Sequence, residues 1–192
     1  MEKGDKAVYS RQVMEFVASA NEYCKYIEGA SQVKGIEILK FMQRLMPYLY
    51  IRASLMPALE PVFEEGNEKF VTEEDYKRIH HTLLLKMGNA DKFPVIVDIG
   101  DPSDGLYTGS LAESLTDIYQ DFKDFLINYR TGTEEVMNDA VWELNLNFEE
   151  FWGEKLVNAL AAIHKFLYSG KELQESEFEA EDDNNGGNDI SL

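Results

Sequence analysis

The chain has 192 residues, and its 36 acidic side chains outnumber 18 basic ones to give a formal net charge of −18 at pH 7. Such a surface repels the phosphates of nucleic acids and the anionic heads of lipids, so we expect neither as a partner, and the charge favours proteins or cations instead. The length predicts one domain, and the single cysteine, Cys24, excludes a disulfide within the chain.

Two amphipathic helices are predicted in the first third of the chain. Residues 8–27 place apolar side chains at the spacing of one helical face, with Cys24 among them as a small buried hydrophobe and Gly29 where the helix should end. Residues 31–49 repeat the pattern. Pro47 lies inside this second run and predicts either a kink or a new helix that begins there, because proline removes one helical hydrogen bond.

A third helix is predicted over residues 72–87, after a connector at 66–71. Thr72 is a typical capping residue, and acids follow it in the first turn. Residues 90–109 are predicted to form a loop, although 94–99 have the composition of a strand without an obvious pairing partner. The aspartates of this loop do not fit a calcium-binding loop, because no glutamate falls at its last position.

Two further helices are predicted over 111–132 and 133–168. Ser110 is the expected cap of the first, and the second is expected to break near 146–153, where it contains a glycine and is preceded by asparagines. Gly153 in a helix costs roughly 1 kcal/mol against alanine, so we expect a neighbouring helix or a ligand to approach it closely, beside Phe151 and Trp152.

These elements predict an all-α fold, an antiparallel bundle of five or six helices that occupies residues 1–170. Residues 171–192 hold eight acids and one base and are rich in asparagine and glycine. Because such a segment buries too little apolar surface to offset the entropy of ordering, we predict a disordered acidic tail.

Each of the last two helices carries an acidic ridge opposite its apolar face. The ridges consist of Glu113, Asp117, Asp121 and Asp124 on the first and of Asp139, Glu143, Asn147, Glu150 and Glu154 on the second. Because each ridge spans about 80° of arc, we expect these side chains to project outward into solvent and not into a buried metal centre. The alternative is a surface site for Mg²⁺ or Ca²⁺, whose candidate ligands are Asp117, Asp121, Glu143 and Glu150.

The three histidines give one catalytic candidate. His80 and His164 lie at the edges of apolar helix faces and His81 points away from one, and neither His-Glu-x-x-His nor a Glu-x-x-His pair occurs. A histidine at the edge of a core is commonly a packing residue. The alternative is that His164 acts as a general base in a cleft between helices.

Two parts of the chain resemble a family of uncharacterised bacterial proteins of about this length. The first joins the acidic turn 101–105 to the helix start at 109–125, and the second joins the Phe-Trp-Gly run at 151–153 to 159–164. The resemblance covers the chain to about Ser169. It implies a compact helical fold in a cytoplasmic bacterial protein, and it implies no activity, because the family is a domain of unknown function.

The residues favour a non-enzymatic interaction or regulatory protein with a protein partner. No Walker A loop, Gly-x-Ser-x-Gly elbow, dinucleotide fingerprint or Cys-x-x-Cys pair occurs, and no apolar run reaches the ~18–20 residues of a membrane span, so we expect a cytoplasmic location. The alternative is a hydrolase of phosphorylated small molecules that uses Mg²⁺ on the ridge carboxylates and His164 as the base. A phosphate mimic that competes with nucleic acid ranks last. A concave pocket that receives the carboxylates would favour the hydrolase, and an exposed apolar patch would favour the interaction protein.

Overall fold

The computed structural model describes residues 7–63, 66–96 and 106–176, and over these ranges the protein is a helical bundle with one small β-hairpin. The helices are α1 (Arg11–Glu28), α2 (Gly35–Ser54), α3 (Glu73–Met87), α4 (Leu111–Thr131), α5 (Glu134–Asn147) and α6 (Gly153–Leu167). The strands are β1 (Lys92–Ile96) and β2 (Leu106–Ser110). The predicted all-α bundle is confirmed. None of the described helices is long and apolar enough to cross a membrane.

Three of the helices begin at a capping side chain that the sequence supplies locally. Ser10 accepts from the amide of Val13 at 3.5 Å, Thr72 from Asp75 at 3.1 Å, and Ser110 from Glu113 at 3.2 Å. Each cap satisfies an amide that has no partner within its helix, which fixes the residue at which the helix starts. The caps predicted at Thr72 and Ser110 are confirmed.

Helix α4 forms the centre of the bundle, because it packs against α1, α3, α5 and α6. The ring of its Phe122 lies 5.4 Å from Phe16, 5.3 Å from Tyr23 and 4.9 Å from Trp152, all in edge-to-face geometry. All four side chains are fully buried. Aromatic pairs in this arrangement add stability beyond their buried area, so they fix the rotation of α4 and the direction of its polar face.

Helix α2 runs through Pro47 without interruption. The alternative that a new helix begins at the proline is therefore wrong. Because proline has no amide hydrogen, the carbonyl of Gln43, four residues earlier, lacks its usual helical donor, and Pro47 itself is half-buried.

The predicted break near 146–153 is a π turn, Phe148–Trp152, which joins α5 and α6 without ending the helix. A Cβ atom on Gly153 would overlap the carbonyl oxygen of Phe148 and lie 2.9 Å from Cδ2 of its ring. The nearest atoms to Gly153 therefore belong to Phe148, in the preceding turn of the same helix. The turn buries Trp152, whose Nε1 donates to the carbonyl of Leu144 at 3.2 Å, and exposes Phe151.

The loop predicted over 90–109 is wrong at both ends, where β1 and β2 pair antiparallel. Phe93 lies opposite Gly109, and a Cβ atom on this glycine would come within 2.8 Å of both the Phe93 ring and Val95. Glycine at this position lets the aromatic ring lie across the partner strand. Residues 97–105 lie outside the described residues.

The first six residues of the predicted tail are docked and not disordered. The amide of Ser176 donates to the carbonyl of Leu85 at 2.8 Å, and the carboxylate of Glu175 accepts from the amide of Gly35 at 2.7 Å. Gly88 has a φ of 44°, and a Cβ atom there would overlap the carbonyl oxygen of Gln174, so the approach of this segment requires glycine. The rest of the predicted tail, 177–192, lies outside the described residues.

Candidate functional site

One aspartate from each acidic ridge, Asp124 and Asp139, binds a segment of the chain's own backbone. This segment joins α2 to α3 and is called the strap here; it is described over 55–63 and 66–72, where it forms neither helix nor strand. Asp139, only 4% exposed, accepts from the amides of Val62 at 2.7 Å and Phe63 at 2.8 Å. The prediction that the ridges are solvated is therefore wrong at Asp139.

Asp124 makes the same kind of contact from α4. Its carboxylate, which is also buried, accepts from the amides of Phe70 at 2.8 Å and Val71 at 2.9 Å. Three asparagines complete the arrangement by donating to strap carbonyls at 2.7–2.9 Å; they are Asn128 to Glu68, Asn138 to Glu60 and Asn145 to Pro57. Because an extended chain leaves its peptide groups unpaired, these side chains do what a neighbouring strand would do.

Asp139 also shows how the strap sets the ionisation of its partner. Burial raises the pKa of this carboxyl, but the amides of Val62 and Phe63 and the side chain of Asn138 outweigh it and hold the pKa below its ordinary value. Hydrogen bonds donated to a carboxylate stabilise its charged form. The contact with the strap therefore keeps Asp139 ionised.

The predicted metal ligand Asp117 is engaged by two donors. Its Oδ1 accepts from the hydroxyl of Tyr76 at 2.5 Å, and its Oδ2 forms an ion pair with Lys155. Burial, followed by this hydrogen bond to Asp117, raises the pKa of the Tyr76 hydroxyl, which therefore stays a donor near neutral pH. Both oxygens of Asp117 are thus occupied.

Asp121 and Glu143 are also held by donors of the chain. Asp121 accepts from the side-chain amide of Asn147 at 3.0 Å, and Glu143 accepts from the side chains of Asn67 at 2.8 Å and Lys69 at 2.7 Å. Burial raises the pKa of Asp121 to about 6, although Asn147 and Lys69 lower it in part. Among the residues that the structure describes, no group of three or more His, Cys, Asp or Glu side chains could hold a metal ion.

The structure places the candidate base His164 away from the candidate ligand Glu150. His164 is exposed, and its ring lies 4.7 Å from that of Tyr168. Glu150 is fourteen residues earlier in the same continuous helix, which corresponds to roughly 20 Å along its axis. His80 is half-buried beside Tyr76, at 6.2 Å between rings, and Cys24 is buried with its thiol pKa raised mainly by that burial.

Exposed apolar side chains are concentrated on the C-terminal half of α2 and on the strap. Of the twelve large apolar side chains exposed in the described residues, six fall within 48–63 and are 40–54% exposed; we call them the α2–strap surface, and they are Tyr48, Tyr50, Ile51, Leu55, Val62 and Phe63. The opposite face of α2 is buried in the core. This half of α2 is therefore apolar on both sides, which its role in the bundle alone does not require.

Two features give the α2–strap surface a fixed shape. The guanidinium of Arg52, which is paired with Glu15, lies 4.7 Å above the ring of Tyr48. The ring of Tyr50 meets Phe148 edge-on at 5.2 Å. Beside it a groove of about 370 Å³ separates the end of α2 and the strap from α5, with Trp142 on its far wall.

A second concave site, called the hairpin cleft, lies at the π turn. It has a volume of about 430 Å³ and is bounded by the hairpin, the first turn of α4, the π turn and the start of α6. Its lip carries two exposed aromatic side chains, Tyr107 at 57% and Phe151 at 56%. Glu150 lines this cleft, whereas Asp117, Asp121 and Glu143 do not.

Comparison with known proteins agrees with the helical architecture. A family model described as the domain of unknown function DUF5063 matches residues 7–169. The crystal structure of protein BF1032 from Bacteroides fragilis is similar to this chain with a TM-score of 0.77 and 32% sequence identity, over 88% of this chain and 100% of that chain. No curated protein matches the sequence. The predicted resemblance to a family of uncharacterised bacterial proteins is confirmed.

Proposed function

The chain belongs to the DUF5063 family, and from that premise we propose that it is a non-enzymatic binding protein that engages a protein partner through the α2–strap surface. The single observation that carries this proposal is the pairing of a buried carboxylate with an exposed apolar loop. Asp139 holds the amides of Val62 and Phe63, while the side chains of both residues remain about half exposed.

The buried carboxylate of Asp139 has a desolvation cost that its hydrogen bonds must offset. Removing a carboxylate from water is unfavourable unless hydrogen bonds replace the lost solvation, and here the strap donates two of the three bonds that Asp139 accepts. The contact fixes the backbone of Val62 and Phe63 but buries neither side chain. A loop that is ordered before binding loses less conformational entropy when a partner arrives, so the arrangement suits recognition.

The composition of the surface supports the same proposal. Large exposed apolar patches on monomers mark interaction sites more often than chance, and tyrosine is enriched at such sites. Tyr48 and Tyr50 lie on either side of Ile51, and Arg52 holds Tyr48 in place. The partner surface that fits best is therefore apolar at its centre, with polar groups near the tyrosine hydroxyls.

The hydrolase alternative has weaker support. Its candidate ligands Asp117, Asp121 and Glu143 already accept hydrogen bonds or ion pairs from the chain, and the candidate base His164 is exposed and remote from Glu150. A metal at these carboxylates would have to displace Lys155 or Lys69. No second function is therefore proposed.

The test uses a photo-reactive phenylalanine analogue in place of Phe63 in cells that express the protein. We expect a discrete adduct that is reduced about tenfold when Leu55 is also replaced by Glu, because that fold-change corresponds to the loss of one apolar anchor. The matched control carries the analogue in place of Tyr168, which is exposed but lies outside the surface. Equal adducts at both positions, or an adduct unaffected by Leu55→Glu, would contradict the proposal.

A further inference from the structure

We propose that the hairpin cleft binds an extended, basic segment of another polypeptide, which adds as a third strand along the free edge of β2. This inference does not depend on the α2–strap surface, because the cleft has its own elements and residues. Three observations carry it, each made on the part of the chain that the structure describes: an edge of β2 without a paired strand, exposed aromatic side chains beside that edge, and carboxylates without partners around it.

The register of the hairpin shows which peptide groups of β2 face outward. The amide of Leu111 donates to the carbonyl of Asp91 at 2.9 Å, just beyond the last strand pair. In an antiparallel ladder hydrogen-bonded and non-bonded pairs alternate, so the next bonded pair is Phe93 with Gly109. Thr108, the next residue along β2, belongs to the non-bonded pair with Pro94 and therefore directs its N–H and C=O away from β1.

The two edges of the hairpin are not equivalent. Pro94 lies opposite Thr108 and has no N–H, so the outer edge of β1 lacks a donor at its centre and is protected against pairing. Thr108 keeps both groups, is exposed, and lines the hairpin cleft. An extended peptide can therefore pair with β2 inside the cleft and not with β1.

The charge of the cleft selects a basic occupant. Glu113, Glu150 and Glu154 line it, and each is exposed. Within the part of the chain that the structure describes, none of the three side chains forms an ion pair or accepts a hydrogen bond. The cation among the lining residues, Lys155, is already paired with Asp117. Lysine or arginine side chains of an incoming strand would thus meet uncompensated carboxylates.

The aromatic residues of the hairpin cleft indicate which residues of the bound segment alternate with its basic ones. Side chains of a strand alternate between its two faces, so basic residues on one face place the intervening residues on the other. Tyr107 and Phe151 offer exposed rings at the lip, and Phe93 supplies a buried one. Apolar residues or the stems of arginine and lysine fit these rings. The expected occupant is an extended segment in which basic and apolar residues alternate.

The location adds to this argument, because the two irregular elements of the bundle meet there. The π turn presents Glu150 and Phe151 to the cleft, and the hairpin supplies the strand edge. π turns within helices occur frequently at functional sites. An uninterrupted helix would direct these two side chains differently.

The experiment titrates the ¹⁵N-labelled full chain with the peptide acetyl-Lys-Val-Arg-Val-Lys-Thr-amide and follows amide resonances. We expect saturable one-to-one binding, and protection of the Thr108 amide from hydrogen exchange. Replacing both Glu150 and Glu154 by Gln should weaken binding about tenfold at constant ionic strength. The matched control replaces Glu149 and Glu22, which are exposed outside the cleft, and should bind as the wild type does.

Two further probes separate strand addition from general attraction to an acidic protein. A peptide of the same charge with N-methyl groups on alternate amides cannot pair with β2 and should lose binding, and so should Thr108→Pro, which removes the outward amide as Pro94 does opposite. Circular dichroism checks that this variant keeps the helical fold. Equal binding by the N-methylated peptide, equal weakening by both glutamate pairs, or no binding at millimolar peptide would overturn the proposal.

Discussion

Asp139 accepts a hydrogen bond from the amide of Phe63 at 2.8 Å, yet the ring of Phe63 is 49% exposed. A buried carboxylate on α5 thus holds the backbone of a residue whose side chain remains half exposed. With Asp124, which holds Phe70 and Val71 from α4, it turns two helix faces into the support of an extended chain.

The first prediction concerns this support. Asp139→Ala should destabilise the protein by roughly 2–3 kcal/mol, because two amides lose a charged acceptor that solvent replaces only in part. Urea denaturation measures the change. Asp139→Asn keeps one acceptor oxygen and should cost less, and Glu60→Gln, in the exposed part of the strap, should change little. If Asp139→Ala were as stable as the wild type, the strap would not depend on the two hydrogen bonds that Asp139 accepts from it.

The second prediction is a pH dependence at Asp121. Burial raises its pKa from 3.8 to about 6, so the folded state binds this proton more tightly than the unfolded state does. The contribution of Asp121 to the free energy of unfolding is therefore fully present below its pKa in the unfolded state. It is lost as the pH rises through the folded pKa of about 6. Asp121→Asn removes the charge but keeps an oxygen for Asn147.

We therefore expect Asp121→Asn to raise the free energy of unfolding by roughly 2–3 kcal/mol near pH 7.5 and to have little effect near pH 4. Thermal melts at the two pH values measure this. Asp139→Asn is the opposite case, since the folded pKa of Asp139 is lowered and its contribution is lost only as the pH falls through that value. If the effects of both variants on the free energy of unfolding changed with pH in the same direction, burial would not be what sets the pKa of Asp121.

The helices could be predicted from the sequence because their signals are local. Thr72 and Ser110 cap α3 and α4 as predicted, and Gly29 ends α1. Helical periodicity and caps depend on residues within a few positions of each other, so no knowledge of the tertiary fold is needed.

The strap and the hairpin could not be predicted in the same way, because their partners are remote. The bond between Phe63 and Asp139 joins residues 76 positions apart, and an acid opposite an apolar stripe looks the same whether water or a distant amide faces it. A local signal was nevertheless present: Asn138 and Asn145 are seven residues apart and therefore share one face of α5, beside the face of the ridge acids. Five-residue strands such as β1 are too short for alternation to identify them.

The third prediction concerns Gly153. Alanine normally stabilises a helix interior by roughly 1 kcal/mol over glycine, but here its Cβ would overlap the carbonyl oxygen of Phe148. We expect Gly153→Ala to destabilise the protein by about 2 kcal/mol, since the π turn must shift. Gly66→Ala, where a Cβ would meet no atom within 4 Å, is the control for measurement by urea denaturation. A more stable Gly153→Ala would mean that the turn relaxes without cost.

The fourth prediction tests the metal alternative with the intact protein. Millimolar Mg²⁺, Mn²⁺, Ca²⁺ and Zn²⁺ should each shift the melting temperature only slightly, and sodium chloride of equal ionic strength should do the same, because Asp117, Asp121 and Glu143 are engaged by donors of the chain. A specific ion at 100 times its dissociation constant would instead add ~2.7 kcal/mol, or several degrees. A shift of that size for one metal, abolished by Asp117→Asn with Asp121→Asn but not by Glu22→Gln, would restore the hydrolase as the better explanation of these carboxylates.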